Sequence, residues 1–458
     1  MVGPPGLAAL VLVALVLMAL LVIPAPGEGL DPPAASTGEP VEHGRGGPPD
    51  RVLARPDSGP GAEDAFTAPA QALHHHDTTH FRLHFTTTTE DAAQNAFIKQ
   101  AAVVFEQVWT AQVSDLGWPA PLPDDGLGGN DLVDVYFVDL GQGAFGYAAA
   151  DEQALCGACN HVPGYLVMDN DYGGYRPDPL GALQATAAHE FSHLVQFGMA
   201  YNAEAWAYEA TAVWLEQVVF PEADARTQYL VDFADAPQLS LSDFGTDSGG
   251  FDRSYGAYVW NLWLASRHGP DVVRDAWIAA AERDSHVLAG YGIALSDRGS
   301  RLEEEFVAFT AATAAWERGG FPGEPGGYPP IRREGFVPSG TVATVTVDHA
   351  AAYVVDVAPG HEVTVTVRGP KFVAGGIALV AGAGTEVLTE VDDTLFDGQA
   401  SVTLTGVADA TRVTLVIVNA DTALAVPKPA GSDRPRYLFD DVSYLIGIDV
   451  DPGPPAKR

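Results

Sequence analysis

The sequence predicts an α+β fold, in which a small N-terminal sheet and a helical half are followed by a C-terminal all-β sandwich domain. Three observations lead to this prediction. Strand patterns and one amphipathic helix occupy the region from about residue 80 to 171, long helical patterns fill residues 178–284, and strands of period two follow from residue 338. At 458 residues, the chain is long enough for two or three domains.

The charge balance restricts the classes of partner. The chain has 60 acidic and 24 basic residues, which gives a formal net charge of −36. Because this charge repels nucleic acid and anionic lipid, we expect neither as a partner. Apolar residues make up 47% of the chain, which is typical of a globular protein, and we expect a monomer.

Residues 1–27 have the pattern of an export signal. An uninterrupted apolar run extends from Leu7 to Ile23, and the small residues Ala25 and Gly27 lie near a cleavage point. The segment before the run has no Lys or Arg, so an uncleaved N-terminal membrane anchor is the alternative. Both alternatives put the remaining chain outside the cytoplasm, and we expect a secreted protein.

Residues 28–78 are rich in Pro, Gly and Ala and show no hydrophobic periodicity. This composition predicts a disordered linker or a propeptide. The tract HHHDTTH at residues 74–80 has the composition of a metal-binding tract. Its position at the edge of the predicted disordered segment favours an incidental run instead.

Residues 79–325 begin with strand patterns and continue with helices. Phe81, Leu83 and Phe85 alternate with polar neighbours as in a half-buried strand, and apolar side chains then recur at helical spacing. Asp178 followed by Pro179 predicts the start of a long helix. The other predicted elements are a helix over 97–109, strands over 131–140 and 164–171, and helices over 203–220, 254–269 and 274–284.

Two further features complete the organisation of the chain. Cys156 and Cys159 are the two cysteines, and in an oxidising compartment their spacing predicts a short disulfide loop. A zinc site would need a second such pair, and a redox motif would need a helix where the sequence predicts a strand. Period-two strands separated by Gly, Pro, Asp and Asn predict a β-sandwich accessory domain over 338–450.

The motif TAAHEFSHLVQFG at residues 186–198 indicates a metal site. On a helix, His189 and His193 share one face and can bind one ion, and Glu190 can take a proton from a water on that ion. Such a site needs a third protein ligand. Glu209 follows His193 by sixteen residues, which suits a short reversal and a second helix. Glu216 is the rival, although small alanines beside Glu209 favour close packing there.

HEFSH followed by W-x-x-E-x-x-A-x-x-x-E resembles the gluzincins of the peptidase MA clan, whose fold is thermolysin-like. A family of secreted bacterial zinc metalloproteases is more similar still, over roughly residues 79 to 320. The shared segments are 168–171, 187–197, Trp206 to Glu209, and Tyr255-Gly256. The resemblance implies Zn²⁺ held by His189, His193 and Glu209, and Glu190 as general base. It implies a supporting or structural role for Glu216.

Several weaker candidates have two interpretations each. Tyr255 is either a hydrogen-bond donor to the oxyanion or a half-buried aromatic residue. His268 is either such a donor or a residue at the C-terminal end of a helix. Gln196 either orients a ligand or faces solvent. A calcium site is an open alternative for five acidic residues, although their spacing matches no known loop. These are Asp124, Asp125, Asp131, Asp169 and Asp171.

The expected function is zinc-dependent hydrolysis of peptide bonds in a protein or peptide substrate. Two alternatives remain open from the sequence. One is a catalytically idle zinc-containing module that recognises surface proteins or glycans through its β-domain. The other is a hydrolase that acts on a non-peptide bond with the same scaffold.

Overall fold

The computed structural model describes Arg55 and residues 73–453, apart from 142–144, 152–159, 174–177, 224–226, 245–250, 284–285, 320, 323–327, 384–385 and 425–435. The predicted export signal at 1–27 and the predicted disulfide between Cys156 and Cys159 lie outside the described residues. Within the described residues, no helix is long and apolar enough to span a bilayer.

Five strands form the N-terminal sheet: β1 (Leu73–Asp77), β2 (Phe81–Thr86), β3 (Val133–Val138), β4 (Gly146–Ala150) and β5 (Gly164–Asp169). Their order is β1-β2-β3-β5-β4. The central strands β2, β3 and β5 run parallel, whereas the edge strands β1 and β4 are antiparallel to their neighbours. The strands predicted over 131–140 and 164–171 are confirmed as β3 and β5.

The prediction of disorder over residues 28–78 is wrong at its C-terminal end and at Arg55. Strand β1 carries the histidine tract and pairs with β2, with His75 opposite His84. Arg55 is buried, and its guanidinium lies 2.8 Å from Asp151 Oδ1 and 2.5 Å from Asp124 Oδ2. These partners come from distant positions in the chain, so composition alone could not reveal them.

One face of the sheet packs against helices. Helix α1 (Asn95–Trp109) buries its apolar stripe there, as the helical spacing predicted, and continues into a π-helical turn over Thr110–Asp115. Eight more helices follow within the described residues: α2 (Pro179–Ala200), α3 (Ala205–Val219), α4 (Thr227–Asp235), α5 (Phe251–Gly256), α6 (Tyr258–His268), α7 (Asp271–Glu282), α8 (Val287–Ser296) and α9 (Leu302–Thr313).

The start of α2 is confirmed in detail. The Asp178 side chain accepts a hydrogen bond from the Leu180 N–H at 3.0 Å, and Pro179 is the first helical residue. The single helix predicted over 254–269 is instead two, α5 and α6. A Cβ at Gly256 would lie 2.4 Å from the Tyr229 carbonyl oxygen. Only glycine permits this close approach of α5 to α4.

The C-terminal region forms two facing sheets, in the orders β11-β10-β13-β8-β6 and β12-β9-β14-β7. Side chains from both sheets share one hydrophobic core, which is the packing of a β-sandwich. The strands are β6 (Phe336–Val337), β7 (Val342–Val347), β8 (Ala351–Val357), β9 (Glu362–Arg368), β10 (Gly375–Ala383), β11 (Glu386–Asp392), β12 (Gln399–Thr405), β13 (Val413–Asn419) and β14 (Val442–Asp451).

Strands β10 and β13 in the middle of the first sheet are buried on both faces. Residues of β10 and β13 that point away from the sandwich core, such as Val380 and Val416, join the core of the helical half. Helix α9 lies against them, and a Cβ at Gly376 would be 3.0 Å from Val307 Cγ1. Strand β13 is consequently buried at every residue and departs from the predicted alternation of buried and exposed positions.

Candidate metal centre

Helices α2 and α3 bring the predicted ligands together. His189 Nε2 lies 3.1 Å from Glu209 Oε2, and His193 Nε2 lies 4.0 Å from the same oxygen. One ligand atom from each of these three residues falls within 4.8 Å of the others. The reversal between the helices is closed by the Tyr208 hydroxyl, which donates to the Ala200 carbonyl at 3.1 Å.

The donor set and its spacing fit a zinc ion. Bond lengths of about 2.0–2.2 Å in tetrahedral geometry separate two ligand atoms by about 3.3–3.6 Å, and the two observed separations bracket this range. His193 Nε2 and Glu209 Oε1 are buried and have no hydrogen-bond partner. Buried polar atoms are normally satisfied, so these orphaned atoms point to a cation. Two imidazoles and one carboxylate form a common zinc ligand set.

The outer nitrogen of each histidine is held by a second side chain. His189 Nδ1 lies 2.6 Å from Glu216 Oε1, and His193 Nδ1 lies 2.7 Å from Gln196 Oε1. Gln196 in turn donates from Nε2 to the Tyr208 carbonyl at 3.3 Å. In metal sites, such partners fix the ring orientation and leave Nε2 to face the ion. Glu216 therefore contacts His189 on the side of the ring away from Glu209. Gln196 is buried and does not face solvent.

Glu190 lies beside the ligands without joining them. Its carboxylate accepts a hydrogen bond from the Ala148 N–H of β4, while Oε2 is buried and has no partner. The side chain is 2% exposed. A free carboxylate oxygen next to a metal position is the arrangement that a general base requires.

The pKa values of the buried residues at this centre are shifted from their ordinary values. Burial raises the pKa of Glu190 to about 8, and it also raises the pKa of Glu209. Burial and the nearby His189 lower the pKa of His193 well below 6.5. At His189, burial opposes the charge, but hydrogen bonds with Glu209 and Glu216 raise the pKa well above 6.5. A divalent cation favours ionised carboxylates and neutral imidazoles, so it would stabilise the ligand forms of these groups.

The structure places Tyr255 at the candidate centre and His268 away from it. Tyr255 is buried at the site, where its ring stacks on His189 at 5.8 Å between centroids and its hydroxyl hydrogen-bonds with Glu209. Burial raises its pKa well above 10. His268 lies instead at the C-terminal end of α6, and its Nε2 is 2.9 Å from Glu305 Oε1. The contact with Glu305 accounts for His268 without a catalytic role.

The acidic residues considered for calcium have other partners. The Asp169 carboxylate accepts hydrogen bonds from the backbone N–H groups of Leu140, Asp171 and Tyr172. Asp124 pairs with Arg55. Among the described residues, the groups with metal-site spacing do not include these acids. The structure thus gives Asp124 and Asp169 other partners, and calcium binding by the five residues stays a prediction.

Sequence reasoning missed several polar residues that fix the two helices. Gln112, in the π-helical turn, donates to the Ala188 carbonyl at 2.7 Å, next to His189. Asn261 on α6 donates to the Ala210 carbonyl at 3.1 Å, next to Glu209, and accepts from the Tyr291 hydroxyl. No local spacing marks these residues, because each contact joins segments at least thirty residues apart.

Comparison with known proteins identifies no family. No family model matches the chain, and no curated protein matches it. Among solved structures, the chain is similar to the pre-peptidase C-terminal domain of collagenase from Bacillus anthracis, with 10% identity and a TM-score of 0.17. The similarity covers 26% of this chain and 97% of that domain. A likeness of this size carries no conclusion about function.

Proposed function

We propose that this chain is a secreted zinc-dependent endopeptidase with a thermolysin-like catalytic half and a β-sandwich accessory domain. The observation that supports it is the convergence of His189 Nε2, His193 Nε2 and Glu209 Oε2 beside the unpartnered Oε2 of Glu190. A mixed sheet, a helix carrying HExxH and a second helix carrying the downstream glutamate also suit a thermolysin-like domain. The resemblance in motif and the export-like N-terminus point in the same direction.

The residues have distinct chemical tasks. Zn²⁺ held by His189, His193 and Glu209 would supply a Lewis acid that polarises a substrate carbonyl and makes water acidic near neutral pH. Glu190 accepts a proton from the attacking water and delivers it to the leaving amine. The Ala148 N–H holds one part of the Glu190 carboxylate, which leaves Oε2 for the proton. Tyr255 provides a hydroxyl donor beside Glu209.

Strand β4 supports a peptide as the substrate. It lies at the edge of the sheet, and its Ala148 contacts the proposed general base. An extended peptide adds to a sheet edge through main-chain hydrogen bonds, which hold it largely without regard to its side chains. A protein or peptide substrate therefore suits this position, and we propose a monomeric enzyme that acts on it outside the cytoplasm.

The second candidate is a catalytically idle zinc-containing module that recognises surface proteins or glycans. The observation that favours it is the outer face of the β12-β9-β14-β7 sheet, where exposed hydroxyl side chains form cross-strand pairs. These pairs are Thr346 with Ser443, Thr364 with Thr403, and Thr366 with Ser401. Such a flat polar face offers hydrogen bonds to a partner, but it explains nothing about Glu190.

Substitution of the proposed base and of one ligand tests the two candidates. We expect E190Q to retain zinc and to lose roughly 10²–10⁴-fold in cleavage of a denatured-protein or peptide library. We expect H193A to lose the zinc ion of this centre. The control E304Q, at an exposed surface pair with Arg301, should match the wild type in both measurements.

Each outcome distinguishes the candidates. Zinc content that is unchanged in H193A would exclude the metal assignment. Cleavage by E190Q at the wild-type rate would exclude Glu190 as the base. Zinc binding by a wild-type protein that cleaves no peptide would support the idle module instead.

A further inference from the structure

A second cluster of metal-ligating side chains lies where the sandwich meets the helical half. Asp348 and His349 occupy the turn between β7 and β8, and Asp440 precedes β14. One ligand atom from each of these three residues lies within 4.8 Å of the others. The cluster belongs to the sandwich and shares no residue with the centre on α2 and α3.

The ring of His349 is fixed from the helical half. Its Nε2 lies 2.9 Å from Ser240 Oγ and 2.8 Å from Ser242 Oγ, both in the segment after α4. The ring is 7% exposed and stacks on Tyr437 at 3.6 Å between centroids. When Nε2–H donates to a serine hydroxyl, the lone pair of Nδ1 faces the two carboxylates, as in a histidine prepared for a metal.

The two carboxylates crowd the same ring nitrogen. His349 Nδ1 lies 3.0 Å from Asp348 Oδ1 and also contacts Asp440 Oδ1. A single N–H group cannot satisfy two acceptors well. At this spacing the two carboxylates also repel each other when both are charged. A divalent cation removes that conflict, because it binds all three atoms and takes the place of the N–H proton.

We propose that Asp348, His349 and Asp440 form a second metal site, for a divalent transition cation of the Zn²⁺ class, at the junction of the sandwich and the helical half. The imidazole nitrogen favours a transition metal over Ca²⁺, which takes six to eight oxygen ligands. The Asp440 side chain is 50% exposed, so water can complete the coordination from that side. Because Ser240 and Ser242 hold the histidine, the ion stabilises the junction.

The order Ser240, His349, Asp440 also has the arrangement of a hydrolase triad, but the surroundings of Ser240 do not suit a nucleophile. Ser240 is 1% exposed, and its Oγ accepts a hydrogen bond from the Ser242 N–H at 3.1 Å. A nucleophilic oxygen must reach a substrate carbonyl. The hydroxyl therefore supports the histidine ring.

Zinc stoichiometry of the full chain tests the site. After metal depletion and equilibrium dialysis against Zn²⁺, we expect two ions per wild-type chain and one per chain for D348N/D440N. Both substitutions keep the side-chain size, and Asp440 is half exposed, so the fold is retained; far-ultraviolet circular dichroism checks this. The matched control is D441N, at an exposed neighbour with a φ of 50° that asparagine also tolerates. It should still bind two ions.

The variant H193A separates this proposal from the zinc centre on α2. We expect H193A to bind one ion and H193A/D348N/D440N to bind none. We also expect Zn²⁺ to raise the melting temperature of H193A but not that of the triple variant. Either of two results would overturn the second site as a proposal. In one, D348N/D440N still binds two ions; in the other, the wild type binds a single ion and H193A binds none. Preferential filling by Ca²⁺ in competition with Zn²⁺ would overturn the class of cation.

Discussion

His189 Nδ1 lies 2.6 Å from Glu216 Oε1, on the side of the ring opposite Glu209. The ring is thus held between two carboxylates that lie two turns apart on α3. Glu209 faces the proposed metal, and Glu216 sets the orientation of the ligand that points towards it. The two glutamates that were rivals from the sequence have complementary positions in the structure.

This contact predicts the effect of E216Q. The amide keeps the size of the side chain but removes the charge that favours the ligand form of His189. We expect a loss of about 10–100-fold in zinc affinity, measured by competition with a chelator. E222Q, at an exposed residue just beyond α3, is the control and should leave the affinity unchanged. Equal affinities for E216Q and wild type would exclude an orienting role.

The buried bond between α6 and α3 predicts a loss of stability in N261A. Asn261 donates to the Ala210 carbonyl and accepts from the Tyr291 hydroxyl, and its removal breaks both of these buried hydrogen bonds. We expect the free energy of unfolding to fall by about 2–4 kcal/mol. Y291F removes one hydroxyl and should cost about 1–2 kcal/mol. Urea denaturation gives both values, and a smaller effect for N261A than for Y291F would contradict this assignment.

Glu305 predicts a pH dependence of stability. Burial opposes its charge, but hydrogen bonds from Arg267, His268 and Ser300 prevail and lower its pKa below 4.5. Because the folded-state pKa is depressed, the stabilisation is present above 4.5 and is lost as the pH falls through the folded-state value. We expect E305Q to be less stable than wild type by about 1–3 kcal/mol at neutral pH.

The difference between E305Q and wild type should shrink as the pH falls below about 4.5, as measured by urea unfolding at several pH values. E304Q alters an exposed pair on the same helix and should track the wild type throughout. A difference that stays constant from neutral to acid pH would show that the charge of Glu305 is unimportant.

Because β10 and β13 are buried on both faces, we predict that the helical half and the sandwich unfold together. Val416 points from β13 into the core of the helical half, whereas Thr403 is exposed on the outer face of the other sheet. We expect V416D to destabilise the whole described chain by about 4 kcal/mol or more, because it buries an unpaired charge. T403D should change stability by less than about 1 kcal/mol. Separate unfolding transitions for the two halves would contradict the shared core.

The parts of the site that follow from local spacing were predictable from the sequence. Helix periodicity placed His189 and His193 on one face, Asp178 and Pro179 marked the start of the helix, and the interval to Glu209 suited a reversal. Gln112, Asn261 and the Ala148 N–H were not predictable, because their roles depend on packing between distant segments. The need for glycine at position 256 was missed for the same reason, since it follows from the close approach of α4.

The shared core also affects when the helical half can complete its folding. Helix α9 ends at Thr313, but β13, which covers it, does not begin until Val413. At a synthesis rate of about 5–20 residues per second, the chain between α9 and β13 takes roughly 5–20 seconds to make. The core of the helical half stays incomplete during that time. We therefore expect chains stalled before Val413 to remain sensitive to added protease, and full-length chains to resist it. In this way the synthesis of β13 sets the time at which the helical half can complete its folding.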